Sequence, residues 1–209
     1  LQLVSQRGRP PDVLESRFAR LCAESRIRLE YAFERARLHL GTEKINGAAQ
    51  RSKDTILVFL AMSQFNSKIV FSDLPDEIQR DVRTLFGSMK NATAAARDAL
   101  LSLADLSLRH EAAAASGLTV NASDDHLMID PHIVDGLPLP LRLYVELGSL
   151  FLGAPEEAET VKIHLRSNKL TFFYDAEAIG LSHPLGARFA AKVNFNTRKI
   201  NTYFAKESQ

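Results

Sequence analysis

The chain has 209 residues, 45% of them hydrophobic, so it is long enough and apolar enough to pack a real core. Lysine and arginine number 26 against 25 aspartate and glutamate, a formal net charge of +1, which excludes attraction to nucleic acid by bulk charge and leaves only local clustering. The single cysteine, Cys22, excludes an internal disulfide and a multi-thiolate zinc site and fits a reducing compartment.

Arg7-Gly8-Arg9-Pro10 has the core of a minor-groove hook, two arginines around a flat glycine, but Gly8 and the Pro10-Pro11 pair make an extended arm the simpler expectation. Asp12 is a plausible N-cap, after which Val13, Leu14, Phe18, Leu21 and Cys22 recur at helical spacing. Leu29, Ala32, Phe33, Ala36 and Leu40 predict a second helix that Gly41 ends. The arginines here alternate with glutamates, which reads as a solvated helical face. Residues 42–54 are polar, and residues 55–62 are apolar nearly all round, the pattern of a core helix. Phe71-Ser72-Asp73-Leu74-Pro75-Asp76-Glu77 has the layout of a helix start, followed by the stripe Ile78, Val82, Leu85 and Phe86, with Gly87-Ser88 as stop and next cap. An alanine-rich helix through Ala92, Ala96 and Leu103 follows, then another over residues 104–116 with Gly117 as its stop. Leu127-Met128-Ile129 is short enough for one strand. Pro138 and Pro140 introduce an apolar helix over residues 141–152 with Arg142 and Glu146 one turn apart, ended by Gly153.

The last stretch, residues 161–204, changes period. Val161, Ile163 and Leu165 alternate with Lys162, His164 and Arg166, so one face of a strand is apolar and the other basic. A turn at Ser167-Asn168-Lys169 leads into Leu170-Thr171-Phe172-Phe173-Tyr174, and the runs from Lys192 and Ile200 form a second hairpin around Thr197-Arg198-Lys199. Lys162, His164, Arg166, Lys169, Arg188, Lys192, Arg198 and Lys199 are the candidate nucleic-acid-binding residues, with Asp175 and Glu177 as the acids of this stretch. Asn194 and Asn201 add neutral donors. Such a face would hold phosphates rather than read bases.

Other chemistry is poorly represented. Asp124, Asp125, His126, Asp130 and His132 are metal-capable types, yet their spacing matches no known site and turns favour aspartate, so no metal is expected. No two glycines stand two apart, so the turn that cradles a dinucleotide or an adenosyl methyl donor is missing, and no Walker, nucleophile-elbow or His-Glu-x-x-His pattern occurs. His164 and His183 near Asp175 and Glu177 are the remaining acid-base candidates, with a strand histidine and a turn histidine as the plainer reading. No catalytic residue and no bound cofactor are expected in this chain.

Across its length the chain resembles methyltransferases associated with bacterial DNA phosphorothioation, in the region after their catalytic domain. The likeness rests on Arg7-Gly8-Arg9-Pro10, Ile56-Leu57-Val58-Phe59-Leu60-Ala61, Phe71-Ser72-Asp73-Leu74-Pro75, Gln79-Arg80-Asp81-Val82 and Leu85-Phe86-Gly87-Ser88-Met89-Lys90. Leu137-Pro138, Leu141-Arg142-Leu143-Tyr144, Val161-Lys162-Ile163-His164-Leu165, the strand ending in Tyr174 and His183-Pro184-Leu185 continue it in order. The resemblance implies a component of a sulfur-based DNA modification and defence system. Its methyl-donor fold, with S-adenosylmethionine, would lie N-terminal to this chain, which begins without methionine and reads as a fragment. The segment 175–182 departs from the family's aspartate-rich form.

The predicted fold class is α+β: a predominantly helical domain over residues 1–155 and a small antiparallel sheet over residues 156–209 packed on it by its apolar face. The expected role is a DNA-interacting accessory domain. The alternative is a module that docks the upstream methyltransferase domain or other DNA modification proteins through apolar surface within residues 137–152. No apolar run reaches membrane-spanning length and residues 1–7 lack the order of a secretory signal, so the expected location is cytoplasmic, with no membrane partner.

Overall fold

A computed structural model of the chain describes residues 2–11, 17–65, 69–121, 125–153, 158–175 and 188–205. The architecture is α+β, helices followed by an antiparallel sheet, in two compact units, Leu1–Arg97 and Asp98–Gln209.

The first unit contains α1 (Gln2–Arg7), α2 (Arg17–Glu24), α3 (Leu29–Leu40), α4 (Thr42–Ser63), α5 (Asp76–Phe86) and the start of α6 (Met89–Ser102). The expected core helix is longer than its apolar run. Ile45, Ala48, Ile56 and Leu60 are buried at helical spacing along α4, so the polar residues 42–54 continue the same helix on a narrower buried stripe. Gly41, at φ +87°, separates α3 from α4 in a conformation that side chains with a Cβ rarely adopt.

Arg7-Gly8-Arg9 is not an extended arm. It closes α1, with the Gly8 N–H donating to the Val4 carbonyl at 2.9 Å and Gly8 at φ +65°. A Cβ at Gly8 would stand 2.1 Å from the Ala49 backbone nitrogen of α4, so only glycine lets the two segments approach. Both arginines are then consumed: Arg9 and Arg7 each donate to Asp81 on α5, and Arg7 also donates to Glu77. Arg9 and Asp81 are both buried to 2% exposure and the 29% exposed Arg7 is held by two acids, so the guanidinium groups of this motif anchor the N-terminal turn to α5.

In the second unit, α7 (Leu106–Ala115) is capped by Asp105, which accepts from the Ser107 N–H at 2.9 Å, and is followed by Gly117 at φ +71°. A 3-10 turn (Pro131–Gly136) leads to α8 (Leu139–Leu152), ended by Gly153 in the left-handed region. Arg142 on α8 pairs with Asp135 at 2.6 Å.

Six strands follow one another as an antiparallel meander: β1 (Val120–Asn121), β2 (His126–Ile129), β3 (Thr160–His164), β4 (Lys169–Asp175), β5 (Arg188–Asn194) and β6 (Lys199–Ala205). The sheet therefore begins earlier than residue 156. β2 pairs with β3 through Leu127↔Ile163 and Ile129↔Val161, because its own apolar alternation matches that of its neighbour. Leu127, Ile129, Val161, Ile163, Leu170, Phe172 and Val193 are buried on one side. Gly148 of α8 lies against Leu170 and Phe172, where an added Cβ would fall 2.4 Å from the leucine methyl. Arg109 of α7, fully buried, stacks 4.2 Å over the Tyr144 ring of α8 and donates to the Ser167 carbonyl and Asn168 Oδ1 in the β3–β4 turn. One arginine thus ties a helix pair to a hairpin turn.

Candidate nucleic-acid interface

The register decides which side chains share the other face, because residues directly paired across an antiparallel sheet point the same way. Met128, Lys162, Thr171, Lys192 and Asn201 form one row across β2 to β6. His126 pairs with His164, and Lys169, Asn194 and Lys199 continue on the same side of β4, β5 and β6. A third row runs Thr160, Phe173, Ala190 and Tyr203. At the far end the backbone sets Asp175 opposite Arg188. Four of the candidate cations, Lys162, Lys169, Lys192 and Lys199, thus stand on one side of a single sheet, with Asn194 and Asn201 beside them.

His164 and position 188 share that side by register, whereas Arg166 and Arg198 lie off the strands. Arg166 lies beyond the end of β3 and donates to Asp125 Oδ2 at 2.6 Å, so its charge is opposed at the sheet's end rather than offered on its face. Arg198 occupies the β5–β6 turn at φ +54° and is exposed. His164 is half-buried, with Nε2 3.2 Å from Thr171 Oγ1. Burial first, and then Lys162, Lys192, His126 and Lys169, push its pKa down to about 4, so at neutral pH it is an uncharged hydrogen-bonding group among lysines. His183 and Glu177 fall outside the described residues, as does Asp124.

Asp125 also holds His110 of α7. The His110 Nδ1 faces the Leu106 carbonyl at 3.0 Å and must donate to it, so Nε2 reaches Asp125 Oδ2 at 2.9 Å as a donor only when the ring is protonated. That bond raises the His110 pKa and lowers that of Asp125. Asp130 accepts from the His132 N–H at 2.8 Å and starts the 3-10 turn, and His126 is buried within β2. Among the described residues no three metal-capable side chains converge.

A separate cleft of about 370 Å³ lies between the 3-10 turn, α8 and the sheet, with His132, Glu146 and Ser149 among mainly apolar walls. Desolvation raises the Glu146 pKa there. Within residues 137–152, expected to leave apolar surface partly open, residues 141–145 are buried and Phe151 is exposed. No helix among the described residues is long and apolar enough to cross a membrane.

Sequence reasoning missed two groups that organise these regions. Arg109 follows Leu106 by three residues and precedes Ala112 and Ala113 by three and four, which is the spacing of a buried helical stripe and was a usable signal. Tyr203 and Phe173 sit among the lysines, and only the strand register brings them into one row. Comparison of the chain with protein-family models, with curated proteins and with solved structures gave no match in any of the three.

Proposed function

We propose that the chain is a DNA-interacting accessory domain of a methyltransferase-like protein associated with DNA phosphorothioate modification and defence. The observation that carries the DNA contact is the grouping of Lys162, Lys169, Lys192 and Lys199 on one face of the sheet, opposite the face that packs on α8. Lysines on flexible stems spread over several strands suit a run of phosphates, and a near-neutral chain that gathers them on one surface directs its electrostatic attraction there. Edge lysines also discourage unwanted strand pairing, but Lys162 and Lys192 are on interior strands, where that role does not apply.

The placement in a modification system rests on the sequence resemblance alone. The methyl donor and its fold would be supplied by an upstream domain. The docking alternative rests on exposed apolar side chains, Phe151 on α8 and Ile200 and Phe204 on the apolar side of β6.

Titration of a labelled DNA oligonucleotide with the full chain, followed by fluorescence anisotropy at 50 and 200 mM salt, tests the reading. Binding that weakens with salt is expected, with about 0.7 to 0.9 in the log-log slope for each phosphate neutralised. Absent or salt-independent binding refutes it.

A further inference from the structure

Resting on that reading, we infer that the sheet face takes a single-stranded polynucleotide, whose bases stack on Tyr203 and Phe173 while the neighbouring lysine row holds its phosphates. Two aromatic side chains share a row on the cationic face, on either side of Ala190, which is itself fully buried, so the accessible surface there is that of the two rings and the neighbouring lysines. They are two strand spacings apart, roughly 9.5 Å, and the row of Lys162 and Lys192 runs beside them at a two-residue rise of roughly 6.7 Å. Tyr203 is 38% exposed on the edge strand and Phe173 is half-buried. The Lys192 ammonium stands over the Tyr203 ring, 5.2 Å from its centre, so a base takes that ring face by displacing the ammonium on its flexible stem, which leaves the cation beside the base's own phosphate.

The choice between strands follows from what an aromatic ring can contact. In a duplex the base faces are buried in the stack, and a flat sheet surface meets only phosphate and sugar, to which a phenol ring adds little. In a single strand every base has a free face, and stacking on a sheet-borne aromatic adds to the electrostatic hold without requiring a particular sequence. Phe173 and Tyr203 among lysines and asparagines are what such a surface needs, whereas a duplex surface would work equally well with serine in their place.

The test is anisotropy with the full chain at fixed salt, using labelled oligo(dT), oligo(rU) and a hairpin duplex of the same length. At least one single strand should bind tighter than the duplex, the comparison of dT with rU telling which sugar is preferred. Tyr203→Leu, which keeps apolar bulk on the edge strand but removes the ring, should weaken single-strand binding by roughly tenfold and leave duplex binding within twofold. Tyr203→Phe should keep wild-type affinity. Far-UV circular dichroism of each variant confirms the sheet. Equal or tighter duplex binding, or no effect of Tyr203→Leu, overturns the inference while leaving the DNA-binding reading in place. Failure of all three oligonucleotides to bind overturns both.

Discussion

Asp81→Ala isolates the contact that joins the N-terminal turn to α5. The wild-type carboxylate faces Arg9 in a site where both residues are 2% exposed, and it also accepts from Arg7. Without it the Arg9 guanidinium stays buried beside the neutral Pro10 carbonyl, 3.1 Å from Nη1, with its charge no longer opposed by Asp81. Breaking a buried pair from one side typically costs about 3–5 kcal/mol, because the remaining buried charge loses its opposite. The neighbouring Arg7–Glu77 pair is the internal control: Glu77 is 60% exposed, and an exposed pair contributes about 0–1 kcal/mol. Urea denaturation followed by far-UV circular dichroism reads both. With a denaturant slope of about 2 kcal/mol per molar, Asp81→Ala should lower the midpoint by roughly 2 M and Glu77→Ala by less than about 0.5 M. Replacing the pair together, as Arg9→Met with Asp81→Leu, should recover most of that stability, since neither charge of the pair then has to be buried. If Asp81→Ala costs no more than Glu77→Ala, the buried pair is not what holds this end of the chain.

Other consequences concern backbone and titration. Gly8→Ala should destabilise by about 3 kcal/mol or more in the same assay, since φ +65° is strained for alanine and its Cβ would overlap the Ala49 backbone, which has no room to move along a helix. His110 should titrate above 6.5 by NMR and move back toward 6.5 in Asp125→Asn. Because its folded pKa is the higher one, its stabilising contribution is complete below 6.5 and disappears as pH rises through the folded value. His164 should titrate near 4, and the sign is opposite: the unfolded ring takes up a proton near 6.5 and the folded ring resists until about 4, so stability falls as pH drops through that window.

The hairpins were legible because alternation with period two is a local signal that assigns inner and outer faces, although β5 begins at Arg188, four residues before the run expected from Lys192, and Lys199 opens β6 instead of closing the turn. The stops at Gly41, Gly87, Gly117 and Gly153 were legible for the same reason, each taking a positive φ where a helix ends. What failed was non-local. Arg9 reads as an exposed cation until Asp81, seventy-two positions later, is folded against it. Arg166 continues the alternation of β3, yet Asp125 of the neighbouring β2 end draws it off the face. The early start of α4 was hidden by polar residues, since a stripe built on Ile45 and Ala48 is too narrow to stand out from propensity alone. At the candidate interface the lysines were visible in sequence, but the aromatic row was not, because Phe173 and Tyr203 are thirty positions apart and meet only through β5.

The cationic surface itself is tested most directly by measuring the salt dependence of oligo(dT) binding for the wild type and for Lys162→Gln/Lys192→Gln. With two fewer phosphates neutralised, binding should weaken and the log-log slope should become shallower by about 1.4. An affinity and a slope both unchanged by the double substitution would contradict a phosphate-holding role for this face.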